Sequence, residues 1–158
     1  MFRPMRRFRQ QLSEEEAMTV LRDGHLGVLS VLGDDDYPYG VPIDYVCGGD
    51  GHLYFHCAGT GHKIDAVRKH DKASFCVTDG GVPIPGDFGR MYRSVIVFGR
   101  IRVVEDRDKV LKKAWELAMH IYPERESFYR EDLKKNAKNV QILELVPEHI
   151  TGKQVRER

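Results

Sequence analysis

A glycine-rich turn followed by two basic side chains is the strongest ligand-binding signal in the chain. In Gly59-Thr60-Gly61-His62-Lys63, two potential cations stand at the start of a predicted helix. Backbone amides at a helix N-terminus and nearby cations together favour a bound phosphate. From composition alone, a segment of this kind is more often a capped turn with a solvated lysine than a phosphate site. The turn is therefore a candidate phosphate site that needs support from other residues.

A histidine in a predicted strand is the second candidate. His56 lies in the segment LYFHC, where alternation places it on the face opposite Phe55 and Cys57. An imidazole that titrates near neutrality can contact a substrate or transfer a proton. Strand histidines are nevertheless more often structural or solvent-exposed. Arg93 and Ser94 lie at the start of another predicted strand. They are candidates for ligand contact, but they could equally mark the end of a turn, with the arginine exposed to solvent.

Spacing argues against several other chemistries. Neither glycine-rich turn continues into GxGxxG or GxxxxGK[ST], and no serine lies in a GxSxG motif. Histidines and cysteines are frequent in residues 52–62, but alternation directs His52 and His56 to one face and Cys57 to the other. No acidic residue completes an obvious ligand set there, so we expect no metal site.

Composition sets the broad class. With 158 residues and 41% hydrophobic residues, we expect one domain over residues 1–158, preceded by a basic N-terminal arm at 1–11. A net charge of +1 gives no reason to expect nucleic acid or an anionic membrane as partner. No apolar run has the length of a signal peptide or membrane span, so we expect a cytoplasmic protein. A reducing compartment also suits three unevenly spaced cysteines, Cys47, Cys57 and Cys76.

The hydrophobic pattern predicts many short strands and few helices. Ser13 and Glu16 form a capping box for a first helix that ends near Gly24. Further helices are predicted over 62–70, from 107 to before Pro123, and within 124–137. Strands are predicted over 25–33, 37–47, 52–58, 72–78, 94–105 and 140–146, with a kink near Pro42. Six short strands indicate a six-stranded antiparallel barrel rather than a parallel sheet.

The order and spacing of these segments resemble the FMN-binding split barrels of the pyridoxamine 5'-phosphate oxidase-like superfamily, in its nitroimidazole-resistance (Nim) branch. Five segments carry the resemblance: GVPIDY at 40–45, YFH at 54–56, GHK at 61–63, YRSVIVFG at 92–99 and ITGK at 150–153. The resemblance covers nearly the whole chain. The substrate-binding C-terminal pattern of pyridoxamine-phosphate oxidase itself is not recognisable, so that reaction is not expected.

The resemblance implies FMN at the interface of a homodimer. In such proteins the 40–45 strand lies along the isoalloxazine ring, the 61–63 turn faces the phosphate, and the histidine of the YFH strand lies beside the flavin. The implied catalytic residue is His56. Because relatives can carry arginine at the position of His62, Arg68 or Arg93 is an alternative phosphate contact. The implied cofactor-binding residues are Val41, Pro42, Ile43, Asp44, Tyr45, His56, Cys57, His62, Lys63, Arg93, Ser94 and Lys153.

The function implied by the resemblance is an FMN-dependent oxidoreductase. Electrons would pass from NAD(P)H through FMN to a small oxidised acceptor, for example a nitroaromatic compound. One alternative is a flavin-binding or sensing protein without turnover, which needs the same pocket. Another is a split barrel that prefers haem or a deazaflavin to FMN.

Overall fold

The computed structural model describes residues 2–156, and its central feature is an antiparallel sheet that closes on itself. The sheet order is β4-β1-β2-β3-β7-β6-β5, and β4 also pairs with β6, so six strands form a ring and β5 adds a short edge. This confirms the predicted six-stranded antiparallel split barrel. The strands are β1 (Leu26–Leu32), β2 (Pro38–Cys47), β3 (Leu53–Ala58), β4 (Lys72–Thr78), β5 (Val82–Pro83), β6 (Arg90–Val103) and β7 (Val140–Arg156).

Helices flank this barrel, and their N-termini differ in how they are capped. The Glu16 amide donates to Ser13 Oγ at 3.2 Å and the Ser13 amide donates to the Glu16 carboxylate at 2.7 Å, so the predicted capping box is present. Gly61, which precedes the second helix, provides no side-chain cap. The first amides of that helix therefore stay open to another partner. The helices are α1 (Glu14–Asp23), α2 (His62–Lys69), α3 (Arg107–Ile121) and α4 (Glu126–Asn136).

Hydrophobic clusters lie on both faces of the sheet. The inner cluster fills the barrel, where the rings of Tyr45, Phe55 and Phe75 contact one another. The outer cluster packs α3 against the outside of the sheet and includes Tyr54. His56 shares the outer face with Tyr54 and is exposed in the single chain. The predicted alternation of His56 with Phe55 is thus confirmed. None of the helices in the described residues has the length and apolar character needed to span a membrane.

The part of the outer face that the helices leave uncovered is apolar. Strand register places Val28 opposite both Pro42 and Cys76, and Cys76 opposite Ile96, so these side chains cross four neighbouring strands. Leu26, Val28, Ile96 and Phe98 are between 39% and 53% exposed. A contiguous exposed apolar surface commonly marks an interaction site. We call this surface the apolar stripe: Leu26, Val28, Pro42, Cys76, Ile96 and Phe98.

Two strands are longer than the sequence pattern predicts. β6 begins at Arg90 rather than at 94, and β7 continues to Arg156 rather than ending at 146. Pro147 interrupts the local pattern, but a register shift between Phe98 and Gly99 accommodates it and pairing with β6 continues. At Pro42 no bulge interrupts the β1–β2 register. β2 pairs with β3 only from Tyr45 to Cys47, so the proline stands in an edge segment that tolerates its missing amide.

Candidate functional site

A groove of about 520 Å³ opens on the outer face between the sheet and helices α3 and α4. Asp44 of β2 and His56 of β3 form its floor. Trp115 and Ala118 of α3 and Tyr129 and Asp132 of α4 line its walls. The volume lies within the range of small-molecule sites, which are mostly apolar with a few polar groups. The groove is therefore the leading candidate for a ligand site.

His56 is the titratable group at the floor of the groove. Burial and the charge of Lys63 lower its pKa below the ordinary value, although Asp132 and Asp44 act in the opposite direction. The neutral imidazole therefore predominates at pH 7. In that form His56 can donate one ring N–H to a ligand and accept at the other nitrogen. Cys57 lies on the adjoining inner face, where burial raises the pKa of its thiol to about 11, so it remains protonated.

The turn before α2 is open and contains a cation close to His56. Gly61 has φ +114, a conformation that essentially only glycine adopts without strain. A Cβ at Gly59 or at Gly61 would meet nothing within 4 Å, so the turn borders free space. Lys63, the second residue of α2, is close enough for its charge to lower the pKa of both His56 and Cys57. The N-terminus of α2 thus presents open amides and the side chain of Lys63 shortly after the strand that contains His56.

His62 and Lys63 are neighbours in sequence, but their side chains lie in different places. The ring of His62 stacks on Tyr39 with a centroid distance of 4.2 Å. Its Nε2 accepts a hydrogen bond from the Asp34 amide at 3.3 Å and lies 3.6 Å from the Asp34 carboxylate. His62 therefore holds α2 against the β1–β2 connection. Of the two predicted phosphate contacts, Lys63 alone is brought close to His56.

In β2, where residues 40–45 were predicted to contact the flavin ring, successive side chains point alternately into the barrel and to the outer face. Ile43 and Tyr45 are buried in the barrel, and the Tyr45 hydroxyl donates to the Leu21 carbonyl at 2.9 Å. Val41 is partly buried, while Pro42 and Asp44 are exposed on the outer face. Because Tyr45 pairs with Phe55, Asp44 and His56 are near neighbours across two strands. Only backbone groups of this strand, together with Pro42 and Asp44, can face an outer ligand.

Arg93, Ser94 and Lys153 lie far from His56 within one chain. His56 pairs with Ile142 near one end of β7, whereas Ser94 pairs with Lys153 near the other end. Eleven residues of strand at about 3.3 Å each separate the two positions along β7. Arg93 forms an ion pair with Asp79 at 2.8 Å. The structure thus divides the predicted site residues into two groups, one at each end of β7.

A buried carboxylate organises a separate polar cluster under α3. Glu144 is 1% exposed, and its Oε1 accepts hydrogen bonds from Lys109 Nζ at 2.8 Å, His52 Nδ1 at 2.8 Å and the Tyr54 hydroxyl at 3.0 Å. Burial by itself would raise the pKa of Glu144, but these hydrogen bonds and one from Arg102 outweigh it and lower the pKa to about 2.

His52 therefore does have acidic neighbours, contrary to the sequence-based expectation. Potential ligand atoms of Asp50, His52 and Glu144 lie within 4.8 Å of one another. Sequence spacing could not show this, because Glu144 is 92 residues from His52. Since Lys109 and Arg102 already neutralise the carboxylate, the cluster gives no support for a metal ion.

These features define a split-barrel protein with a ligand groove on its outer face. Residues 13–154 match the family model described as pyridoxamine 5'-phosphate oxidase. Because the match covers most of the chain, the protein belongs to that family. A search of curated proteins found no match.

Solved structures with similar folds include flavin-binding proteins. A protein described as a 5-nitroimidazole antibiotic resistance protein, from Bacteroides thetaiotaomicron, is 16% identical with a TM-score of 0.75, covering 91% of this chain and 86% of that chain. An FAD-binding protein from Mesorhizobium loti is 25% identical with a TM-score of 0.67, covering 93% and 96%. An FAD- and haem-binding protein from Mycobacterium smegmatis is 24% identical with a TM-score of 0.76, covering 94% and 74%.

Sequence reasoning missed the helical walls of the groove. Trp115, Tyr129 and Asp132 lie about 60 residues or more beyond His56, and nothing local connects them with it. One signal was available, because Trp115, Tyr122 and Tyr129 recur at seven-residue intervals and so could share a face of a helical segment. All three aromatic residues line the groove.

Proposed function

We propose that this protein is an FMN-dependent reductase that works as a homodimer and transfers electrons from NAD(P)H to a small oxidised acceptor such as a nitroaromatic compound. The observation that carries the proposal is an uncapped helix N-terminus with a cation, which follows directly on a strand that lines the groove. The turn at 59–61 connects Ala58, which lines the groove, to the uncapped N-terminus of α2 with its open amides and Lys63.

The residues around the turn fit a flavin phosphate. A dianionic phosphate favours a helix N-terminus with free amides, and Lys63 adds a full positive charge. The FAD-binding protein from Mesorhizobium loti supports a flavin cofactor for this fold. When bound, the flavin would supply the redox chemistry. His62, which is engaged with Tyr39 and Asp34, would fix the helix rather than bind the phosphate.

His56 and the outer side of β2 would position the reacting partners. A neutral His56 donates a hydrogen bond from its ring without carrying charge into the groove. The backbone of residues 42–45 and the exposed face of Pro42 would lie along the flavin ring. The groove walls of α3 and α4 border His56 and leave room for an acceptor. This room favours an enzyme over a flavin-binding or sensing protein without turnover.

The homodimer is supported by two features of the single chain. The apolar stripe adjoins Asp44, because Leu26 pairs with Asp44, and it remains exposed. Burying such a surface is a principal source of stability at obligate interfaces. Arg93 and Ser94 of β6 and Lys153 of β7 stand too far from His56 to complete the site of their own chain, so we assign them to the site of the partner. Three unpaired cysteines suit a cytoplasmic location.

Titration with FMN tests the cofactor site. The purified protein is titrated with FMN while its visible absorbance is followed, and its mass is measured by light scattering. We expect binding to a dimer, and a loss of affinity of at least about tenfold for Lys63→Ala, since hydrogen bonds to charged groups contribute about 1.5–3 kcal/mol. Lys72→Ala, which removes the same charge from the start of β4, is the matched control and should bind like the wild type.

Turnover is then measured as oxidation of NADH or NADPH with a panel of acceptors. A protein that is monomeric by light scattering and does not bind FMN would refute both the proposed cofactor and the proposed homodimer. An FMN-loaded dimer that oxidises neither nicotinamide with any acceptor would refute the reductase and leave the sensing alternative. If the purified protein shows the absorbance spectrum of haem or a deazaflavin, that molecule and not FMN is the cofactor.

A further inference from the structure

We propose that the groove selects uncharged or cationic aromatic acceptors and rejects anionic ones, with Asp132 as the main specificity-determining residue. This inference rests on the proposed reductase and specifies its acceptor class. It follows from the shape of the groove and from the sign of the charges that line it.

The walls suit a flat aromatic ring. Trp115 and Ala118 line one side and Tyr129 the other, and the rings of Tyr122 and Tyr129 stack with an interplanar angle of 17°. Leu117 and Leu133 add aliphatic surface. Aromatic and aliphatic walls gain most from planar apolar ligands, which bury area and stack on the rings.

The charged groups of the groove have one sign. Asp44 on the sheet and Asp132 on α4 belong to different elements. The negative charge of each acts to raise the pKa of His56, although the net shift is downward. No lysine or arginine of the described residues lines the groove. Asp132 accepts a hydrogen bond from the Asn136 side-chain amide at 2.8 Å, and within residues 2–156 it forms no ion pair with a basic residue. An anionic ligand would meet two carboxylates and a neutral imidazole.

Two nearby arginines lie over aromatic rings of the groove walls but do not themselves line the groove. Arg130 lies over the ring of Trp115 at 5.0 Å and lines a neighbouring depression, and Arg125 lies over Tyr122 at 5.2 Å. Lys63 does not line the groove, and a flavin phosphate bound at the N-terminus of α2 would neutralise its charge. With a flavin phosphate bound beside Lys63, Asp44 and Asp132 are the charges that remain to set the field inside the groove.

The size of the effect follows from Coulomb's law. A ligand carboxylate held several ångströms from Asp132, at the intermediate dielectric of a half-buried site, loses at least about tenfold in affinity. A neutral ligand of the same shape avoids that loss, and an ammonium group gains a partner. In a series of ligands that differ only in one substituent, the rest of the molecule contributes equally to the affinity of each ligand.

A series of three ligands tests the selectivity: 4-nitrobenzyl alcohol, 4-nitrobenzylamine and 4-nitrobenzoate. Their affinities for the oxidised, FMN-loaded protein are measured by calorimetry without electron donor, and again for the protein without FMN. Trp115 is the only tryptophan of the chain, so quenching of its fluorescence reports whether the ligand enters the groove. We expect the alcohol and the amine to bind and quench, and the benzoate to bind at least about tenfold more weakly.

Two variants assign the effect to Asp132 and to the groove. Asp132→Asn should strengthen benzoate binding by about threefold to tenfold and leave the alcohol unchanged. Glu131→Gln, which removes the same charge from the neighbouring exposed position on α4, should change neither. Ala118→Phe should fill the groove and weaken all three ligands. Glu131→Gln also shows whether a charge change on this helix disturbs the fold.

Three outcomes would overturn the inference: equal affinity for the three ligands, a preference for the benzoate, or binding that neither quenches Trp115 nor responds to Ala118→Phe. Failure of the reductase proposal is distinguishable. A groove that selects by charge in a protein that neither binds FMN nor oxidises NAD(P)H would refute the reductase alone. Turnover with no charge preference would refute the acceptor class alone.

Discussion

Replacing Glu144 with glutamine tests the buried polar cluster that fixes α3, one wall of the groove, to the sheet. Lowering the pKa of Glu144 from 4.5 to about 2 corresponds to about 3 kcal/mol of stability at neutral pH. Arg102 is 65% exposed, so solvent screens part of this value. Glutamine keeps the shape but leaves the ammonium group of Lys109 without its counter-charge. We expect Glu144→Gln to lose about 2 kcal/mol at pH 7.

The assay is urea unfolding followed by Trp115 fluorescence between about pH 7 and pH 3. A carboxyl whose pKa is lowered by folding stabilises the protein above its unfolded pKa, near 4.5, and loses that contribution as the pH falls toward 2. The gap between the wild type and the variant should therefore be full above about pH 5.5 and shrink below it.

Glu148→Gln is the matched control. Glu148 lies on the same strand but forms an exposed pair with Arg100, so its loss should cost less than about 1 kcal/mol. If Glu144→Gln is as stable as Glu148→Gln at pH 7, or if the gap does not shrink on acidification, the buried cluster does not hold α3 as argued.

Three further substitutions test other parts of the structure. Gly61→Ala should weaken FMN binding and cost about 1–3 kcal/mol in thermal or urea unfolding, because alanine does not tolerate φ +114; unchanged stability would contradict the turn geometry. Gly99→Ala should lower the unfolding free energy by at least about 2 kcal/mol, because a Cβ there would stand 2.1 Å from the Val146 carbonyl oxygen; an unaffected urea midpoint would mean that the β6–β7 bulge is not as described. Ser13→Ala should cost about 1 kcal/mol through loss of the capping box, measured by the same unfolding, and Ser13→Asp should restore most of it.

Local sequence patterns predicted most elements of the barrel because their signals are local. Alternation and turn residues placed β1 to β4 within a residue or so of their observed ends, and the capping box placed α1. The second half of β7 was not predicted as strand, because Pro147 ends the local pattern. Its continuation depends on pairing with β6, which is fixed by the rest of the fold and not by the segment itself.

The candidate site was predictable only where its residues are adjacent in sequence. His56 and Lys63 come from one β-turn-α segment, so their proximity could be inferred. Successive helical residues point about 100° apart, and this rotation directs His62 to Tyr39 and away from His56. Trp115 and Asp132 reach the groove through helix packing on the sheet, for which a single sequence carries no direct signal.

The distance between the two ends of β7 has a genetic consequence. If each flavin site takes Lys63 from one subunit and Lys153 from the other, Lys63→Ala and Lys153→Ala damage different halves of the same site. A mixed dimer of the two variants then carries both lesions in one site and none in the other. Co-expression with random assortment should restore about a quarter of the sites. Two inactive alleles would thus complement each other, which two lesions within one self-contained subunit could not do.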